Sequence, residues 1–390
     1  MTYDAIVVGA GPAGSTCAYR LADAGASVLL LDRARFPRDK PCGGGVTLRA
    51  LDALPVSIDP VVEDVVNVAE LRLQYRTTVE RGSGKPLAVM TQRIRLDAHL
   101  VAEAVRAGAE LRDGLKAERV ETCNGRVVVA AGGERLSARA LVGADGVNGI
   151  VGRELGLGGN QAVGVALEGN VPWGKLDRAR YGGRIVMELG VLSGGYGWVF
   201  PKGDHANVGV GGWQREGPRL RAHLARLCAE HGIGPDDLEE LRGYRLPLRS
   251  PRSTLARGRT LVVGDAAGLI DPLSGDGMYE AFVSAQFAAD SVLDLLAGRA
   301  ETLEGYGTGL GRSLAAHLWA SWGLKVALDR FPRTTFALAK TGLVWGAIER
   351  VVRGELTDVT AARGIVRAPL KALAMLARAA GNPGQAFREA

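Results

Sequence analysis

Cysteine, histidine and aromatic residues are all scarce in this chain of 390 residues. The four cysteines (Cys17, Cys42, Cys123 and Cys228) are widely spaced and form no C-x-x-C pair. They suit a reducing compartment better than a disulfide framework. The five histidines (His99, His205, His223, His231 and His317) are equally scattered, so no metal site is expected. No charge-free window of about eighteen residues occurs, so no helix is expected to cross a bilayer. A glycine motif begins so near the start that a signal peptide has no room before it, and a cytoplasmic location is the expectation. Basic patches interleaved with aromatics are missing, which argues against nucleic acid as a partner. Internal repeats and low-complexity tracts are missing too.

What is present is ordinary for a soluble globular protein: 47% hydrophobic residues and 23% charged ones, in a chain long enough for two domains and a large core. The net charge is +6. From Glu301 to Ala390 there are twelve Lys/Arg against seven Asp/Glu, so most of the excess lies C-terminally. Such a surplus either forms a solvated basic face or attracts anionic headgroups or a substrate pyrophosphate.

The chain is organised around Asp4–Asp32. An apolar run, Ala5-Ile6-Val7-Val8, leads into Gly9-Ala10-Gly11-Pro12-Ala13-Gly14. A helical segment follows to about Ala24, then a second apolar run, Val28-Leu29-Leu30-Leu31, ends at Asp32. Strand, glycine turn, helix, strand and acid is the pattern of a dinucleotide-binding βαβ unit. Gly9 permits the turn, Gly11 lets backbone approach a pyrophosphate, and Gly14 lets helix and strand pack closely. The phosphates then meet a helix N-terminus, and Asp32 can accept ribose hydroxyls.

Beyond it, Arg33 to Gly45 is a proline-bounded loop that carries Lys40 and ends in three glycines; a helix is expected from about Val46. Leu71–Tyr75 and Leu87–Thr91 read as short strands, Arg95–Ala107 as a helix, Val127–Val129 as part of a meander, and Ala138–Ala144 as a strand ending at Asp145-Gly146. Ala162–Val171, Arg184–Leu189, Tyr196–Phe200 and Asn207–Val210 alternate as an antiparallel sheet with one buried face would. Thr260–Val263 restores a buried parallel strand before Gly264-Asp265, and a long helix covers Met278–Leu296. The last ninety residues read as helices broken at Gly305-Tyr306-Gly307, Phe331-Pro332 and Gly354. Arg363, Arg367, Lys371 and Arg378 recur at helical spacing there, either packing on the protein or lying on a membrane surface.

Three distant segments carry a common theme: residues 9–14, Gly143-Ala144-Asp145-Gly146, and Gly264-Asp265-Ala266-Ala267-Gly268. In this order they resemble the FAD-binding pattern of the p-hydroxybenzoate hydroxylase-like flavoprotein superfamily. Arg93 in Gln92-Arg93-Ile94-Arg95-Leu96-Asp97 matches its Arg-x-x-Phe-Asp segment, with Leu96 in place of the aromatic. Asp271-Pro272-Leu273-Ser274-Gly275-Asp276-Gly277-Met278 then presents a loop and helix start suited to an anionic reduced flavin. Two further motifs narrow the likeness. Lys40-Pro41-Cys42-Gly43-Gly44-Gly45 resembles the Lys-x-Cys-Gly-Gly segment of geranylgeranyl reductases, and Tyr196-Gly197-Trp198-Val199-Phe200-Pro201 followed by Gly209-Val210-Gly211 resembles that family's Tyr-x-Trp-x-Phe-Pro…Gly-x-Gly. Asp276 stands where the family usually has glutamate.

The resemblance implies an α/β fold (α+β overall). A Rossmann-type FAD-binding domain would comprise residues 1–55, 92–158 and 250–300, a substrate-binding β-sheet domain 56–91 and 159–249, and a C-terminal helical region 301–390. It implies an FAD-dependent reductase that saturates carbon–carbon double bonds of an isoprenoid chain, with NAD(P)H or a ferredoxin-type carrier as transient reductant. Gly9, Gly11, Pro12, Ala13, Gly14, Asp32, Arg33, Lys40, Cys42, Gly43, Gly44, Arg93, Asp145, Gly146, Gly264, Asp265, Pro272, Gly275, Asp276, Gly277 and Met278 would then hold the cofactor. Gly45, Tyr196, Trp198, Phe200 and Pro201 would meet substrate, and Cys42 or Tyr196 would donate a proton. The alternatives are an FAD-dependent aromatic monooxygenase or halogenase, and a non-redox flavoprotein isoprenoid cyclase.

Overall fold

The computed structural model describes residues 2–355 apart from 124, 160 and 250–252, together with Met375. The basic stripe of Arg363, Arg367, Lys371 and Arg378 lies outside the described residues.

The opening run forms β1 (Thr2–Val8), α1 (Pro12–Asp23) and β2 (Val28–Leu31), with Ala5–Val8 and all of β2 buried. Pro12 at the first helical position costs nothing, because its missing N–H would have no partner there. Gly9 has φ +102°, and a Cβ on it would lie 2.3 Å from the Ala144 carbonyl oxygen. A Cβ on Gly14 would lie 1.8 Å from the Gly9 oxygen. Both positions therefore demand glycine, for backbone approach rather than for ligand contact alone.

The next stretch runs β3 (Gly45–Thr47), α2 (Leu48–Asp52), β4 (Asp64–Val66), β5 (Val68–Leu73), β6 (Thr77–Gly82), β7 (Ala88–Met90) and α3 (Arg93–Arg106). The helix expected from Val46 is thus a short strand first, because Gly45–Thr47 pairs antiparallel with β7. The strand expected to reach Tyr75 stops at Leu73, where Gln74 and Tyr75 turn through positive φ.

Then come β8 (Glu110–Arg112), β9 (Ala117–Cys123), β10 (Arg126–Ala131), β11 (Glu134–Gly143) and α4 (Ile150–Leu155). They are followed by β12 (Gln161–Pro172), α5 (Arg178–Tyr181), β13 (Arg184–Leu189), β14 (Tyr196–Pro201), β15 (His205–Trp213), α6 (Leu220–Glu230) and β16 (Glu239–Arg249). The chain ends as β17 (Ala256–Arg257), β18 (Thr260–Val262), α7 (Met278–Leu296), α8 (Gly305–Arg330), α9 (Pro332–Ala339) and α10 (Gly342–Val352). Gly305–Gly307 opens α8 instead of breaking a helix.

β18, β11, β1, β2 and β8 form a parallel sheet, extended by the antiparallel strands β17, β10 and β9. Its centre is apolar and buried, through Ala5–Val8 of β1, all of β2 and Ala140–Gly143 of β11, as a sheet covered on both faces requires. A second sheet has the order β16-β12-β15-β14-β13-β5-β6. It is antiparallel except where β5 runs parallel to β13, which corrects a purely antiparallel expectation. β13 alternates cleanly: Val186 packs with Leu220, Leu224 and Leu227 of α6, while Ile185, Met187 and Leu189 point to the face where Phe336 and Trp345 of α9 and α10 lie. β15 does not alternate; all nine of its residues are buried, because α6 covers one side and the aromatic residues of β14 crowd the other. No helix among the described residues is long and apolar enough to cross a membrane.

Candidate active site

A single continuous cavity of about 1800 Å³ joins the carboxyl end of the parallel sheet to the inner face of the second sheet. One arm is walled by the β1–α1 turn, residues 38–45 and the loop before α7. The other arm runs between Ala69, Leu71, Ile185 and Met187 on the sheet and Phe336 and Trp345 on the roof helices. The expected cofactor residues all border it except Gly14, which sits behind Gly9. Among the expected substrate residues, Gly45, Tyr196, Trp198 and Phe200 line the wall, whereas Pro201 is buried away from it.

At the β1–α1 turn, the N-terminus of α1 borders the cavity through Gly11, Pro12 and Ala13 and carries no side-chain cap and no acid in its first turn, which suits it to a negative charge. Two guanidinium groups lie against Gly11: a Cβ there would sit 3.4 Å from Arg38 Nη2 and 3.8 Å from Arg93 Nη2. Asp97 holds both, accepting from Arg93 Nε and Nη2 at 2.7 Å each and lying 2.8 Å from Arg38 Nη1. Arg38 escaped the sequence reading, which took Arg33 from the same loop, because it falls in no recognisable motif.

Three acids ring this arm. Asp32 receives the Ala10 N–H at 2.8 Å and the Ala34 N–H at 2.9 Å, which orients it at the end of β2. Asp145 caps α4, accepting from the Ile150 and Val151 N–H groups at 2.6 and 3.0 Å. Its other oxygen is buried without a partner, and burial raises its pKa despite those bonds. Asp265 pairs with Lys40 Nζ at 3.0 Å; burial pushes its carboxyl up, but the charges of Lys40 and Arg93 outweigh that and hold it below the ordinary range.

The loop before α7 is folded by Asp271, whose Oδ1 accepts from the N–H groups of Leu273 and Ser274 and from the Ser274 hydroxyl at 2.7–3.1 Å. Asp276 Oδ1 accepts the Met278 N–H at 2.9 Å at the start of α7. His317 of α8 reaches into this loop, with Nε2 3.1 Å from Asp271 and 3.5 Å from Glu280. Burial opposes a charge on His317, yet the two carboxylates carry its pKa up to about 9. Burial, then the neighbouring Glu280 charge, lifts Asp276 to about 6. His317 was set aside in the sequence as scattered, and only the fold brings α8 back to the loop.

On the sheet side, Tyr196, Trp198 and Phe200 share one face of β14 by the two-residue period of a strand. Their ring centroids are 5.9 and 6.3 Å apart, forming a ladder along the wall. A Cβ on Gly209 would lie 2.2 Å from Trp198 Cζ2, so the Gly-x-Gly of β15 is the flat floor on which that indole rests. The Tyr196 hydroxyl donates to the Ser274 carbonyl, and burial raises its pKa.

Cys42 lines the cavity between Lys40, which pairs with Asp265 of the first arm, and Gly43, which lies against the Phe200 ring of the second sheet. Its Sγ accepts the Gly44 N–H at 3.4 Å, its N–H donates to Glu168 Oε1 at 2.7 Å, and its carbonyl accepts from Lys202 Nζ at 2.8 Å. Glu168 and Lys202 were missed in the sequence, although an acid in the apolar run Ala162–Val171 was a signal that something buried needed it.

Open N–H groups at a glycine turn, paired arginines against Gly11 and carboxylates at three strand ends fit an adenine dinucleotide carrying a flavin. A family model described as an FAD binding domain matches residues 2–306. The chain is 32% identical to a geranylgeranyl diphosphate reductase of Rhodobacter capsulatus over 76% of both chains. It is 31% identical to a menaquinone reductase of Mycobacterium tuberculosis over 91% of this chain and 92% of that one. Among solved structures, a geranylgeranyl bacteriochlorophyll reductase-like protein of Thermoplasma acidophilum superposes with a TM-score of 0.79 at 25% identity, covering 96% of each chain. A flavin-dependent brominase, 18% identical with a TM-score of 0.75 over the whole of both chains, shares the fold alone.

Proposed function

We propose that this chain, which belongs to the geranylgeranyl reductase family of FAD-dependent oxidoreductases, saturates double bonds in the polyprenyl tail of a quinone or similar lipid. The observation that carries the proposal is the continuity of the cavity, whose apolar arm opens onto the cofactor arm at Cys42. A hydrocarbon tail fits that arm, and burying it there is favourable by about 25 cal/mol per Å² of apolar surface. The similarity to the menaquinone reductase spans 91% of the chain, so it takes in at least part of α8–α10, the helices that roof this arm. That favours a quinone tail over a free diphosphate.

Bound FAD, when reduced, supplies the hydride. An isolated alkene accepts a hydride poorly unless the second carbon receives a proton, so the chain must hold an acid at the junction of the arms. Cys42 stands there, fixed by bonds to both sides of its peptide unit; Tyr196 is the other candidate, turned toward Ser274. The dinucleotide motif occurs once, so the reductant is proposed to dock transiently, as NAD(P)H or an electron-carrier protein. The C-terminal basic surplus is proposed to meet an anionic membrane surface from the cytoplasmic side.

Anaerobic incubation with dithionite, FAD and either a menaquinone or geranylgeranyl diphosphate, followed by mass spectrometry, tests the reaction. Because dithionite also reduces the quinone ring, the product is reoxidised in air before analysis; it is then expected to have gained two hydrogens per reduced tail double bond, with the menaquinone consumed faster. An oxygenated or halogenated product under aerobic conditions, or an isomer of unchanged mass, overturns it. Under the same conditions Cys42→Ser is expected to keep its FAD and lose turnover about 100-fold, the scale of a missing general acid. Tyr196→Phe is expected to stay within about threefold of the parent. The opposite pattern assigns the proton to Tyr196.

A further inference from the structure

The segment bearing Cys42 belongs by sequence to the dinucleotide half of the molecule, yet its strongest tethers come from the second sheet. Glu168 of β12 is 4% exposed and accepts the Cys42 N–H at 2.7 Å with one oxygen and the Tyr244 hydroxyl at 3.2 Å with the other. Lys202, directly after β14, is 6% exposed and donates to the Cys42 carbonyl at 2.8 Å. The peptide units on either side of Cα are thus each held by a buried charged side chain. The glycines that follow leave no slack: a Cβ on Gly43 would lie 2.9 Å from the Phe200 ring, and one on Gly44 2.8 Å from Lys202 Cε.

A carboxylate and an ammonium in such a place are costly. Burial pushes the Glu168 carboxyl up, and the Lys202 charge, the Cys42 N–H and the Tyr244 hydroxyl only partly counter this. Two apolar side chains would pack there without that desolvation cost. What apolar residues cannot do is fix both the donor and the acceptor of one residue's backbone. We propose that Glu168 and Lys202 are positioning residues, holding the Cys42 thiol at the junction of the two arms through its backbone. The inference rests on the reading of Cys42 as the proton donor, and it adds that the substrate sheet, rather than the cofactor loop, sets where that proton is delivered.

The test uses the full chain with Cys123, which is exposed, changed to serine, so that Cys42 is the reactive thiol; Cys17 and Cys228 are buried. Glu168→Ala, Glu168→Gln and Lys202→Met are compared for iodoacetamide labelling of Cys42, FAD affinity and steady-state kinetics with menaquinone. Freed of its tethers, Cys42 in Glu168→Ala and Lys202→Met is expected to label at least fivefold faster, which is about 1 kcal/mol. Turnover should fall about tenfold, with KM and FAD affinity within twofold of the parent. Glu168→Gln, whose amide oxygen still accepts the Cys42 N–H, should recover most of both losses. Labelling and turnover within twofold of the parent in Glu168→Ala would overturn the proposal, as would a loss of FAD equal to the loss of turnover. If Glu168→Ala does not fold, Glu168→Gln and Lys202→Met decide: parental labelling in Lys202→Met counts against the tether. Should labelling rise while Cys42→Ser itself remains active, the tether stands and the donor assignment falls.

Discussion

An Asp97→Leu protein is expected to lose about 3–5 kcal/mol of folding stability in the absence of FAD, the cost of leaving a buried charge without its partner. Asp97 has no exposed surface and Arg93 only 6%. Their two hydrogen bonds of 2.7 Å form the parallel, two-pronged pairing that suits a guanidinium, and Arg38 adds a third contact at 2.8 Å. A lysine could escape by deprotonating, but an arginine cannot, and the Asp97 charge raises the Arg93 pKa further against the opposing effect of burial. Arg93 and Arg38 also lie against Gly11, where a pyrophosphate would bring negative charge of its own. Saturating FAD should therefore stabilise the variant more than it stabilises the parent. Urea unfolding with and without FAD reads both effects. A loss below about 1 kcal/mol, the scale of an exposed ion pair, would show that water already reaches this cluster. Asp97→Asn, which retains one acceptor oxygen, should fall between the two.

Arg93 and Asp97 also show what a sequence of this kind makes legible. Both sit in a short local motif four residues apart, on one face of α3, so their pairing follows from helical spacing. The same holds for Gly9 to Asp32 and for the ladder on β14: a turn, a period of two or a period of 3.6 places the residues without knowledge of the rest of the fold. Glu168, Lys202 and His317 obey no such rule. Each acts on a residue more than forty positions away in sequence, and each is reached only after a strand crosses a sheet or a C-terminal helix folds back. Val46 and Thr47, expected to open a helix, are strand for a related reason: β-branched residues carry little helical information, and pairing with β7 decides the matter. Asp145 is an intermediate case. Its place at a strand end is legible, but the capping of α4 that orients its carboxylate depends on a local turn.

His317→Ala carries the second large effect, and its pH dependence identifies the cause. A histidine whose folded pKa is about 9, against an ordinary value of 6.5, binds its proton more tightly in the folded state. Its contribution is fully present below pH 6.5 and is lost as the pH rises through 9. A shift of that size corresponds to roughly 3 kcal/mol. Asp271 behaves in the opposite sense. Burial alone would raise its pKa, but His317 and Arg49 bring it below 3.8, so its contribution is present above pH 3.8 and lost as the pH falls below it. Asp276, raised to about 6, favours the folded state while protonated and withdraws that support as the pH rises from 3.8 to 6. Between them these three groups favour the acid side of neutrality, whereas His231, whose pKa burial lowers to about 4, works in the opposite direction up to pH 6.5. The His317→Ala protein should lose roughly 3 kcal/mol at pH 6 and much less at pH 10, because there the parent histidine is neutral as well. A loss that is the same at both pH values would assign His317 to packing alone. The Asp271, Glu280 and His317 ligand atoms lie within 4.8 Å of one another, a spacing that a divalent cation could also bridge. Arg49 Nη1, 3.0 Å from His317 Nε2, already brings a positive charge to this cluster and disfavours a further cation there; it also opposes the charge on His317, which the two carboxylates sustain. Adding zinc or EDTA should leave the parent's unfolding unchanged. The same clasp ties α8 to the loop before α7, beside the cavity where the flavin is proposed to lie. His317→Ala should therefore weaken FAD binding and alter the absorbance of the bound flavin, although His317 lies beyond the residues 2–306 matched as an FAD binding domain.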